Sequence, residues 1–123
     1  MKNKQTLYSA FRFAFKGIAY ALTERNFIID LFFALVVVLA GFVLKISNVE
    51  WLAILICIAL VLSMEMVNTA IEKTIDLLHP QQNPKAGEIK DIAAGSVLIA
   101  VIISGIIGVI IFLPKIFDLL NKS

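Results

Sequence analysis

The sequence is poor in most of what a water-soluble protein relies on. Charged residues make up 16% of the chain, against about 25% in a typical soluble domain. A single cysteine excludes a disulfide scaffold, and with only one histidine beside it a His/Cys zinc site has no ligand set. Charge of one sign is also missing. Eleven Lys and Arg against nine Asp and Glu leave a net +2, which neither keeps a chain disordered nor argues for a nucleic-acid partner. No Gly-x-x-x-x-Gly-Lys-Ser/Thr loop and no glycine-rich dinucleotide fingerprint occurs, so any nucleotide must be held by another device. What the chain has instead is apolar surface: 60% hydrophobic residues and a mean hydropathy of +0.95. A 123-residue chain is one domain at most, and folded in water it would leave much of that surface exposed. Its main solvent is therefore a bilayer.

A helix crosses a hydrocarbon core of about 30 Å with roughly 20 mostly apolar residues. Residues 27–44 meet that length and are apolar apart from Asp30, and 92–113 contain no charge. Residues 51–71 are apolar for two-thirds of their length and then carry Glu65, Asn68 and Thr69. None shows the alternation of a membrane barrel, so an all-α membrane protein with three transmembrane helices is predicted. Residues 1–25 differ: Phe11, Phe15, Ile18 and Leu22 share one helical face and Gln5, Ser9, Arg12 and Lys16 another, the pattern of an amphipathic interfacial helix. Lys2, Lys4, Arg12, Lys16, Arg25, Lys73, Lys85 and Lys90 fall on one side, against Lys45, Lys115 and Lys122 on the other. This bias puts the N-terminus and a 77–91 loop in the cytoplasm. Asn48-Val49-Glu50 then makes a tight external turn, Trp51 an outer aromatic anchor, and Pro114 the stop of the last helix. Ser96, Ala100, Ser104 and Gly108 form a small-residue stripe suited to close helix approach and hint at an oligomer.

The end of the second span carries the chemistry. At 100° per residue Glu65, Asn68, Glu72 and Asp76 sit at about 0°, −60°, −20° and +20°, one narrow polar stripe among Met, Val and Ile. An acid near the middle of a membrane helix costs about 2.5–3.5 kcal/mol on insertion scales, so the stripe needs a cation, a proton or a partner helix. Glu65 and Glu72 lie about 10 Å apart along the axis, too far to share one proton. They suit divided labour: Glu65, nearer lipid, as a general base, and Glu72 nearer a hydrated cation. Glu24, Glu72 and Asp76 converge on one depth, as oxygen ligands of a divalent ion would, and Asp30 adds another acid at that level. Two blander readings stand beside this: a stripe that glues helices together through hydrogen bonds, and a proton- or ion-conducting oligomer. Lys90, beside Asp91 at the start of span three, suits phosphate oxygens or equally an anchor among anionic headgroups. Cys57 reads as packing.

The run Glu65-x-x-Asn68-Thr69-Ala70-Ile71-Glu72-x-x-x-Asp76, with Phe15-Lys16-Gly17, Glu24-Arg25-Asn26-Phe27 and Lys90-Asp91-Ile92-Ala93-Ala94-Gly95, resembles the small prokaryotic diacylglycerol kinase family over nearly the whole chain. The Glu24-Arg25-Asn26 and Asp91-to-Gly95 segments are more similar to its undecaprenol kinase branch. The chain departs from many relatives of that branch at Ile28-Ile29-Asp30, where they carry a basic residue and a histidine. The resemblance implies an ATP- and Mg²⁺-dependent kinase of a membrane lipid alcohol, undecaprenol or alternatively diacylglycerol. It implies a homotrimer in the bacterial inner membrane, with the active site on the cytoplasmic side between subunits. It implies Glu65 as the general base, Glu24 and Glu72 as metal ligands, and Asp76, Lys90 and Asp91 with them at the nucleotide. Asn68 and Asp30 are expected with Glu65 at the lipid acceptor.

Overall fold

The computed structural model describes residues 6–122; Lys2, Lys4 and Gln5 of the expected interfacial segment lie outside the described residues. The chain is all-helical: α1 (Leu7–Ala21), α2 (Arg25–Val43), α3 (Asn48–Leu78) and α4 (Pro84–Asn121). The last three are long and apolar enough to cross a membrane, which makes this an all-α, multi-pass membrane protein. Helix α3 packs mainly on α4 and less extensively on α2.

The interior is thin, as expected of a chain whose outer faces meet lipid rather than water. Among the described residues an apolar cluster is built on Ile46, Ile54 and Ile111, with Val37, Trp51, Ile107 and Phe112 packed around it. This cluster holds the end of the bundle away from the polar stripe. The α2–α3 turn beside it is closed by helix-end hydrogen bonding. The Ile46 N–H donates to Gly41 O (3.1 Å) and the Lys45 N–H to Phe42 O (3.3 Å), the paired bonds of a Schellman ending. That ending needs a left-handed residue, and Lys45 takes it at φ 53°. Gly41 makes room for the ring of Trp51, since a Cβ there would lie 2.7 Å from Trp51 Cη2. Asn48-Val49-Glu50 is not the expected turn. Ser47 caps α3 by accepting from the Glu50 N–H (3.2 Å), while the Glu50 carboxylate accepts from the Ser47 N–H (2.9 Å). This reciprocal capping box draws 48–50 into the helix.

Two further expectations change. The 77–91 loop shrinks to residues 79–83, because α3 runs on to Leu78 and α4 starts at Pro84. Asn83 accepts from the Lys85 N–H (2.9 Å) and proline fits the first helical position, where no N–H is needed. Pro114 does not stop α4, which continues to Asn121; proline in a membrane helix removes one hydrogen bond without ending the helix where neighbours support the backbone. Helices α3 and α4 thus form a long antiparallel hairpin tied at both ends by ion pairs. Lys115 meets Glu50 at 3.1 Å, and Lys90 meets Asp76. The two ties stand about 38 Å apart at 1.5 Å per residue, enough to bracket a hydrocarbon core of about 30 Å.

Candidate active site

Counting along α3 from Trp51 at 1.5 Å per residue, Glu65 lies about 21 Å in, Glu72 about 31 Å and Asp76 about 37 Å. With Trp51 at one interface, Glu65 is still within a 30 Å core, Glu72 stands at its far edge and Asp76 beyond it. Placed so, the polar stripe would run from hydrocarbon depth to the interface. Burial follows the same gradient: Glu65 and Asn68 are the buried polar side chains among the described residues, 5% and 6% exposed, whereas Glu72 and Asp76 are exposed.

The deep part of the site joins α3 to the first turns of α2. Asn26 and Asp30 are four residues apart and so on one face of α2; Asn26 comes within hydrogen-bonding reach of Glu65, and the charges of Asp30 and Glu72 bear on it. Asn68 donates from Nδ2 to Glu72 Oε1 (3.1 Å), and that bond orients its amide. An amide turned the other way would set oxygen against carboxylate oxygen. So held, Asn68 Oδ1 is buried with no hydrogen-bond partner. An orphaned acceptor of this kind costs about 1–3 kcal/mol.

The shallow part contains two ion pairs. Glu24 caps α2 with its backbone while its side chain makes no capping bond; the carboxylate instead meets Lys73 Nζ at 3.1 Å. Asp76 pairs with Lys90 across the hairpin. Asp91, next to Lys90, is exposed. The structure thus joins Asn68 to Glu72 by a hydrogen bond, brings the charges of Asp30 and Glu72 to bear on Glu65 and joins Asp76 to Lys90. It leaves Asp91 outside these groups and brings Glu24 to residue 73 of α3. Asn26 was missed as a site residue, although its spacing to Asp30 was a usable signal. Nothing in the sequence pairs Lys73 with Glu24, because they meet only when α2 docks on α3.

Among the described residues no three acids, histidines or cysteines close on a common point as a dedicated metal cage. The donor set suits Mg²⁺ carried with a nucleotide, which uses one or two carboxylates and completes its shell with phosphates and water. Below Asp30 an apolar groove of about 300 Å³ opens between α2, α3 and α4, lined by residues including Val37, Ile54, Cys57, Ser104 and Gly108.

Fold and site together define a multi-pass membrane protein whose acid and amide groups meet at one end of an apolar helix bundle. Residues 12–112 match the sequence model of the family described as prokaryotic diacylglycerol kinase. The chain is 43% identical over 109 residues to the undecaprenol kinase of Bacillus subtilis, covering 88% of this chain and 89% of that protein. It is 35% identical over 116 residues to a diacylglycerol kinase of Synechocystis (93% and 66% covered), and 27% identical over 109 residues to that of Haemophilus influenzae (86% and 92%). The chain belongs to the prokaryotic diacylglycerol kinase family, and with it to the lipid kinases. The matched region holds every candidate residue from Glu24 to Asp91.

Proposed function

We propose that this protein transfers the γ-phosphoryl group of ATP to the hydroxyl of a membrane lipid alcohol. Undecaprenol is the favoured acceptor, supported by the 43% identical relative of that name, and diacylglycerol is the alternative. The observation that carries the reading is the buried Glu65–Asn68 pair, whose free amide oxygen awaits a donor at hydrocarbon depth. A lipid hydroxyl arriving from within the bilayer is such a donor. Its O–H is shared between Asn68 Oδ1 and the Glu65 carboxylate, and Glu65 takes the proton as the oxygen attacks phosphorus. Asp30 and Asn26 bring polar groups of α2 to bear on Glu65.

On the water side Lys90, held by Asp76, offers its ammonium to the nucleotide phosphates, with Asp91 beside it. Glu24 and Glu72 are the residues that would hold Mg²⁺; when bound, the ion supplies charge neutralisation at the phosphoryl group in transfer. Positioning of the two substrates then does most of the catalytic work. One chain offers little enclosure: nothing lies within 4 Å of where a Cβ on Gly105 or Gly108 would stand, and long apolar side chains line the outer faces. A homotrimer, in which a neighbouring subunit covers the site, answers that openness. In this reading α1 lies in the headgroup region of the bacterial inner membrane, on the cytoplasmic side with the site.

The test is phosphoryl transfer from labelled ATP with Mg²⁺ in liposomes, offering undecaprenol and diacylglycerol side by side. The expected product is undecaprenyl phosphate, and Glu65→Gln, folded and with oligomer intact, loses turnover by orders of magnitude. Full activity in that variant refutes the assignment of the base. Label in phosphatidic acid alone selects the alternative acceptor, and label in neither overturns the kinase reading for these lipids.

A further inference from the structure

We infer that Lys73 is a second phosphate-binding cation of the site, held on Glu24 until the metal–nucleotide complex arrives. The inference rests on the proposed role of Glu24 and Glu72 as the metal's carboxylates. Three observations point to it. Glu24 occupies a cap position and makes no capping bond with its side chain, so its carboxylate is free for another use. The carboxylate is engaged by Lys73 at 3.1 Å, and Lys73 directly follows Glu72 in α3. The pair therefore links the stretch that carries Glu24 to the stretch of α3 that carries Glu72. Lastly, the pair is loosely held: its side chains are 65% and 35% exposed, about 33 Å along α3 from Trp51 and past the hydrocarbon edge. Ion pairs in such a setting are weak and exchange partners readily.

The charges dictate an order of events. A divalent ion alone meets a site already neutralised in part by Lys73, and must displace an ammonium that has no other ion-pair partner among the described residues. A metal–nucleotide complex brings phosphate oxygens with it. Lys73, displaced from Glu24, then finds a new anionic partner at hydrogen-bond range instead of bulk water. The device favours the metal–nucleotide complex over the free metal and adds a positive charge at the phosphates beside that of Lys90.

Arg25 supplies the control. It is adjacent to Glu24, exposed, and has no ion-pair partner among the described residues, so Arg25→Gln removes the same charge without breaking a pair. Wild type, Lys73→Met, Lys73→Arg and Arg25→Gln would be placed in phosphatidylcholine nanodiscs. Free Mn²⁺ would be titrated by electron paramagnetic resonance, and a non-hydrolysable ATP analogue with Mg²⁺ by equilibrium binding. In Lys73→Met, free Mn²⁺ is expected to bind about two- to five-fold tighter, the range set by loss of an exposed ion pair, while the analogue binds about ten-fold weaker. Lys73→Arg should stay near wild type and Arg25→Gln should shift both much less. Equal shifts in Lys73→Met and Arg25→Gln, or unchanged analogue binding in Lys73→Met, overturn the inference while Mn²⁺ still depends on Glu24. Mn²⁺ binding indifferent to Glu24→Gln overturns the metal reading beneath it as well.

Discussion

Replacing Asn68 by leucine separates what the site does for catalysis from what it does for the fold. Leucine keeps the branching of the side chain but removes both polar atoms. The loss is one hydrogen bond, Asn68 Nδ2 to Glu72 Oε1 at 3.1 Å. Because Glu72 is exposed, water takes over that acceptor, and the loss stays near the neutral range of about 0.5–1.5 kcal/mol. The gain is relief of the orphaned Oδ1, about 1–3 kcal/mol, together with the transfer gain of an apolar group at a 6% exposed position. Packing the extra volume offsets part of this. The balance lies between zero and a stabilisation of about 2 kcal/mol. Turnover moves the other way: with no oxygen to receive the lipid hydroxyl, misplacement of about 1 Å is enough for a loss of about 100-fold. Thermal unfolding in detergent, paired with the liposome assay, reads both quantities from one preparation. A variant that loses about 2 kcal/mol or more of stability would make Asn68 a structural residue. A variant with undiminished turnover would remove it from the acceptor site.

Two further outcomes concern the end of the bundle remote from the site. Lys45→Gly should raise stability by about 1 kcal/mol, since the left-handed φ of 53° strains a residue with a Cβ but not glycine; a lower unfolding midpoint would refute the Schellman ending drawn there. Gly41→Ala should lower stability by about 1–2 kcal/mol, overpacking against Trp51 and Ile46 being offset in part by alanine's helix propensity. Adding Trp51→Leu should recover the loss, whereas the same loss with and without Trp51 would show that the ring is not the obstacle.

The features readable in advance are those that a helix carries by itself. The stripe Glu65, Asn68, Glu72 and Asp76 is set by spacing alone, and once α3 is helical it cannot be otherwise. The limits of the helices were less legible, because they depend on local bonds that apolarity does not encode. The Ser47–Glu50 capping box pulls 48–50 into α3, and Asn83 starts α4 well before its apolar stretch begins. Pro114 read as a stop because proline breaks helices in water; within α4 it is carried along.

Apolar content, three long apolar runs and acids at helical spacing determined by themselves that this is a membrane protein with a stripe of candidate site residues at the end of one helix. Those are properties of composition and of a single period, and they need no knowledge of neighbours. Which groups meet was decided only by tertiary structure. Glu24 reaches Lys73 and Asn26 reaches Glu65 because α2 docks on α3, and Asp76 reaches Lys90 because α4 folds back along α3. Contacts between distant parts of the chain depend on how helices are rotated and shifted against one another. That is settled by side-chain packing, such as the approach of Gly41 to Trp51, and no periodicity within one helix records it.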